Sequence, residues 1–214
     1  MPLVLFTTTQ PIETFSLGVL VTLVTILLVS MAVFFGLVHR WTVGSRAYAM
    51  REWSKRAGFS TKTGSFPPIV SPIIATTPTP GEQYTNGSTT VLRLHTEAGG
   101  SWNVLVRRLE TPWPTTGVRP VANVSSVLDL YSLASFPTLT TGERFVVYGT
   151  DGAAARSLAS SSLAALLPAD IGLLLADQDM MLDFTARPFD EIEISRMIAV
   201  VDQLVAHLPA VKKK

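Results

Sequence analysis

Three histidines, at positions 39, 95 and 207, are the side chains best suited to hold a metal or shuttle a proton, and each stands alone. His39 adjoins Arg40, and His95 alternates with Arg93 on the polar side of a β-like run. His207 falls near the end of a helical pattern, where an imidazole suits the helix dipole without further purpose. With no second ligand beside any of them, no metal or pigment ligand is assigned. Asp177, Asp179 and Asp183 could together hold a hard cation, but they flank an apolar strand and no ligand-rich loop accompanies them. A solvated hairpin tip is the expected reading. The run Tyr148-Gly149-Thr150-Asp151-Gly152 leads into a helical pattern and could hold an anion, yet it lacks the basic residue and glycine spacing of a phosphate loop. It reads as a turn followed by an Asp151 N-cap. Asn86-Gly87-Ser88 and Asn123-Val124-Ser125 match the glycosylation pattern, idle in the cytoplasmic placement argued next.

Absence of cysteine excludes disulfides, thiolate zinc sites and a cysteine nucleophile. The chain also lacks a P-loop, GxGxxG after a strand, HExxH, GxSxG and an EF-hand loop. No catalytic, cofactor-binding or metal residue is nominated, no cofactor is expected, and the chain is read as not an enzyme.

What remains informative is how the elements are laid out. Of 214 residues, 47% are hydrophobic and only 15% charged, against about 25% charged in an ordinary soluble domain. The excess is local: from Phe15 to Val38 no residue carries a charge. As a helix that run is about 36 Å long, enough to cross a hydrocarbon core of about 30 Å. Residues 1–14 hold Glu13 and no Lys or Arg, which disfavours a cleaved signal peptide. They form a short external tail, whose Leu3-Val4-Leu5-Phe6 run fits an interface better than water. Beyond the span (15–39) come Arg40, Arg46, Arg51, Lys55 and Arg56, interleaved with Trp41, Tyr48 and Trp53. That is a membrane-interface belt able to meet anionic lipid headgroups, and its charge places the N-terminus outside and the rest in the cytoplasm.

Within the span, Gly18, Thr22, Thr25, Val29, Ala32 and Gly36 fall on one stripe, and five of the six are small. Small side chains let two helix backbones approach, so the stripe predicts a neighbouring transmembrane helix as partner. No ionisable group interrupts the run from Phe15 to Val38, which excludes an ion or proton path there.

The remaining boundaries are a basic juxtamembrane helix (40–57), a Pro/Thr-rich extended connector (58–90), an α+β domain (91–211) and a basic tail (212–214). Val91–Glu97 and Trp102–Glu110 read as a hairpin about Gly99-Gly100, 111–120 as a loop, Val124–Ala134 as a short helix, and Glu143–Gly149 as a strand. An Ala-rich helix then runs from Asp151 to about Leu167, followed by a second hairpin about Asp177-Gln178. Asp190 through Glu193 form a capping box before an amphipathic helix, Ile194–Leu208. The fold class is therefore α+β: one N-terminal transmembrane helix, then a mainly antiparallel sheet with packed helices. Charge is segregated, +6 over residues 40–120 and −7 over 121–211. An acidic distal half speaks against nucleic acid.

REWSKRAGF (51–59) and ERFVVYGTDGAAARSLASSSLAALLP (143–168), then a hairpin and a final helix ending HLP, resemble uncharacterised bacterial membrane-anchored domains, a likeness that implies no activity. The plan of short outer tail, single span and connector with Phe66-Pro67-Pro68 is similar to the H subunit of purple-bacterial photosynthetic reaction centres. Arginine outnumbering lysine 12 to 5 fits a GC-rich bacterium. The expected function is a non-catalytic accessory subunit stabilising an inner-membrane complex, photosynthetic or respiratory. The alternative is a membrane-tethered sensor or ligand-binding module.

Overall fold

The computed structural model describes residues 17–61, 64–76, 79–122, 126–131, 138–141, 144–160 and 163–209. The expectations placed on the tail (1–14), on Asn123-Val124-Ser125 and on the basic tail (212–214) lie outside the described residues. The chain divides into two units, Met1–Tyr48 and Ala49–Lys214.

Helix α1 runs Leu17–Arg56, so the span and the juxtamembrane helix are one element. Its last two turns belong to the second unit, where Met50 and Trp53 are buried in the domain core. Beyond α1 the order is β1 (Ser60–Thr61), α2 (Ser71–Ile74), β2 (Thr79–Thr85), β3 (Thr89–His95), β4 (Ser101–Pro120), β5 (Thr138–Thr141), β6 (Phe145–Gly149), α3 (Gly152–Ser160), α4 (Leu163–Leu166), β7 (Gly172–Asp183) and α5 (Glu191–Ala206). Single 3-10 turns lie at Pro68–Val70 and Val127–Tyr131, the latter where a short helix was expected. The seven strands among the described residues form one antiparallel sheet in the order β1-β2-β3-β4-β6-β5, with β7 on β4. The α+β class and the mainly antiparallel sheet are as the sequence predicts.

The connector is not a connector. Residues 58–90 supply β1, α2 and β2, and bury Phe59, Ile69, Val70, Ile73 and Tyr84. The reason lies in the strands. Val91 and Leu92, Val104 and Leu105, and Met180 and Met181 are adjacent pairs whose side chains point to opposite faces of the sheet, and every one is buried. Val91, Leu105, Met180 and Leu182 join one core with α5, α3 and the end of α1. Leu92, Leu94, Val104, Val106 and Met181 join a second core, covered by Ile69, Val70, Ile73, Val127 and Leu128. A sheet apolar on both faces needs two covers, and the proline-rich segment is part of the second.

Two further expectations change together. Residues 111–120 are not a loop but the second half of β4, and β7 is a single strand rather than a hairpin. The two strands pair along both halves, with register shifts on either side of Trp113, which faces Asp177. Pro112 and Pro114, which have no N–H to give a ladder, flank that irregular point. Asp177 adopts φ 50° there, the left-handed region that also suits turns. The turn signals are real, but they mark a shared kink. By contrast, the β3–β4 hairpin forms as expected, with Gly99 at φ 82° and Thr96 N donating to Gly100 O at 3.0 Å.

Candidate anchor and interaction surfaces

Helix α1 contains a segment long and apolar enough to cross a membrane, and none of it is buried against the chain. Gly18, Thr22, Thr25, Val29, Ala32 and Gly36 are all exposed. The two threonines return their hydroxyls to the backbone, Thr22 Oγ1 donating to Gly18 O and Thr25 Oγ1 to Val21 O, each at 2.8 Å. In hydrocarbon those hydroxyls therefore leave no unpaired donor. Around Gly36 an added Cβ meets nothing within 4 Å.

The eight residues expected at the membrane interface separate. Arg40, Trp41, Arg46, Tyr48, Arg51, Lys55 and Arg56 are exposed. Trp53 is not: it is 6% exposed, stacked on Phe59 at 5.1 Å between ring centroids. Its indole Nε1 donates to Ser195 Oγ at 2.9 Å. A tryptophan after a span signals an interface in sequence, but here the helix has already entered the domain, and Trp53 joins its core. Lys55 pairs with Glu52 at 3.0 Å.

The weaker chemical candidates also find their places. His39 and His95 are exposed, and the exposed His207 hydrogen-bonds Gln203 O through Nδ1 at 2.8 Å at the end of α5. Asp151 Oδ1 accepts from Ala153 N at 2.7 Å and Ala154 N at 3.1 Å, so the chain's own carboxylate occupies the N-terminus of α3. Asp183 is buried, accepting from Ser126 Oγ at 2.7 Å, Val127 N at 3.0 Å and Thr185 N at 3.1 Å. It fastens the 3-10 turn to β7 rather than meeting Asp177 and Asp179. Among the described residues no group of three His, Cys, Asp or Glu could hold a metal ion. Tyr131 donates to Ile69 O, and burial, with the charge of Asp183, holds its phenol above the ordinary range.

Asp190 caps α5, accepting from Glu193 N at 2.9 Å. The reciprocal half of the capping box is replaced by an ion network. Glu193 instead accepts from Arg187 Nη1 at 2.5 Å and Arg196 Nη1 at 2.9 Å. Arg187 also grips Asp170 with two bonds of 2.7 Å, which holds the Asp170 carboxyl below its usual range.

Sequence reasoning missed a polar cleft of about 570 Å³, lined in part by Gln83, Thr90, Arg108 and Asp179. Burial pushes the Asp179 carboxyl up, against the pull of Ile69 N–H and Arg108. Nothing in the sequence marks these residues as a set; they meet only because β2 belongs to the sheet.

The class thus defined is an antiparallel α+β domain preceded by an apolar helix long enough to span a membrane. The sequence matches no protein-family model and no curated protein. A solved structure shares the fold: the crystal structure of the mycobacterial trehalose monomycolate transport factor A, TtfA, with TM-score 0.51 and 14% identity. The likeness spans 78% of this chain and 97% of that one. At such identity it establishes the fold, and it does not extend to the reaction-centre H subunit or to a photosynthetic or respiratory complex.

Proposed function

We propose that this chain is a non-catalytic, single-span accessory subunit of an assembly in a bacterial cytoplasmic membrane. Its N-terminus lies outside and its α+β domain in the cytoplasm. The observation that carries this reading is the α1 segment itself: exposed throughout, and small along the line from Gly18 to Gly36. Lipid alone sets no requirement for such a line, whereas a packed helix does. The exposed cations from Arg40 to Arg56, with Trp41 and Tyr48, suit an anionic headgroup layer on the same side as the domain. That a protein named a transport factor shares the fold is consistent with a non-catalytic accessory role. The experiment is extraction from native membranes in mild detergent, followed by sizing and mass spectrometry of whatever co-migrates. Fixed stoichiometry with a multi-subunit complex is the expected result. Migration alone, under conditions that preserve other complexes, would overturn it.

A further inference from the structure

Asn86 and Gly87 stand on the turn between β2 and β3, and both are exposed. Asn86 N donates to Thr89 O at 3.1 Å, and Asn86 Oδ1 accepts from Thr89 N at 2.9 Å. Gly87 takes φ 91°, and a Cβ added there would meet nothing within 4 Å. Its N–H makes a long contact with Thr85 Oγ1, at 3.4 Å.

These atoms are the parts of an intramolecular acyl transfer. The Gly87 nitrogen is the nucleophile, and no side chain at that position crowds its approach to Asn86 Cγ. The Thr89 N–H on Oδ1 draws electron density from that carbon, as a donor does at any carbonyl under attack. Exposure supplies the hydroxide and water that the reaction consumes. The same pattern occurs nowhere else in the chain: Asn103 and Asn123 are each followed by valine, whose branched side chain hinders the nitrogen.

We infer that Asn86 is a site of spontaneous modification, converting through a succinimide to aspartate and β-aspartate. Hydroxide takes the Gly87 amide proton, the nitrogen bonds to Asn86 Cγ, and the Cγ–Nδ2 bond breaks to release ammonia. Water then opens the ring. Attack at Cγ restores the ordinary main chain as aspartate. Attack at the main-chain carbonyl leaves the chain running through Cγ, one atom longer, in a turn that the Thr89 bonds close. Either product sets a carboxylate where a neutral amide stood. Ser88, next along the turn, accepts from Arg108 N at 2.8 Å and from Arg107 Nη1 at 3.3 Å, so the new charge arises beside two arginines. The turn also lines the polar cleft, which gains negative charge as the reaction proceeds. No partner is needed, so the reaction is independent of the subunit reading.

The test warms the full chain in lipid nanodiscs at neutral and at mildly alkaline pH, with the chain unfolded in urea as reference. Peptide mass spectrometry locates the products, and methylation by an isoaspartyl methyltransferase counts β-aspartate. Loss of Asn86 to both products is expected, faster at the higher pH, with Asn103 and Asn123 intact. The folded rate should lie within about tenfold of the unfolded one, because one modest side-chain hydrogen bond restrains the amide. Asn86→Gln, which would have to close a six-membered ring, is expected to abolish methyl acceptance. Retention of Asn86 in the folded chain while the unfolded chain converts would overturn the inference, since the Thr89 bonds would then protect it. Methyl acceptance that survives Asn86→Gln, or loss of Asn103 at the same rate, would overturn it too.

Discussion

Arg187 and Trp53 join parts of the domain distant in sequence. Trp53 ties the end of α1 to α5 through Ser195 and to the sheet through Phe59 and Tyr84. Trp53→Ala removes a buried indole and is expected to cost about 3–5 kcal/mol, read as an earlier denaturant midpoint of the full chain in micelles. Trp41→Ala, at a position 77% exposed, should leave that midpoint unmoved. For Arg187 the readout is pH. The depressed Asp170 carboxyl contributes stability above its unfolded pKa of about 4, and that stability is lost as pH falls through its lower folded value. Arg187→Gln should therefore destabilise the domain at neutral pH and flatten its stability-versus-pH slope below about pH 4. Asp179 acts in the opposite sense: its raised folded pKa favours the protonated form, a contribution lost as pH rises through that value. An unchanged acid slope in Arg187→Gln would show that the ion network does not govern this window.

At the scale of elements, what the sequence made legible was whatever depends on local pattern. The β3–β4 hairpin, the Asp151 and Asp190 caps, and the α5 face with Ile194, Met197, Val201 and Leu204 buried could be read from spacing and turn chemistry. The second halves of β4 and β7 were hidden because their bulge carries prolines and a left-handed Asp177, the same residues that mark turns. Strand β2 was hidden by composition, and so was the cleft it builds. Adjacent buried pairs such as Val91-Leu92 were the available signal that a second cover existed. Gly81 tests the role of β2: a Cβ there would stand 1.9 Å from the backbone oxygen of Arg93. Gly81→Ala must therefore part β2 from β3, with an expected loss of about 2 kcal/mol or more on denaturant titration. A flexible connector would tolerate the same change. In α1 the logic reverses. Gly36→Leu places its Cβ in open space and improves helix propensity, so monomer folding should not suffer. Any loss of co-migrating subunits after extraction would then report a partner helix at the stripe, and full retention would remove the stripe from the proposed interface.

For the whole molecule the open term is direction across the membrane, and the proposed orientation rests on charge. Five cations follow the apolar run within 17 residues, and the residues before it carry none. Moving that belt across a bilayer against the membrane potential is unfavourable, while the near-neutral N-terminal side crosses readily. The chain offers a clean test because it contains no cysteine. Thr8→Cys should react with a membrane-impermeant maleimide added to intact cells stripped of outer layers. Glu97→Cys, exposed at the β3–β4 turn, should react only after the cells are opened. The reverse labelling would place the α+β domain outside. Asn86-Gly87-Ser88, on the exposed turn between β2 and β3, would then no longer be shielded from glycosylation. Labelling at both positions in intact cells would mean that α1 lies on the membrane instead of crossing it. A uniformly apolar exposed face makes that outcome unfavourable, because a helix lying in the interface needs a polar side for water.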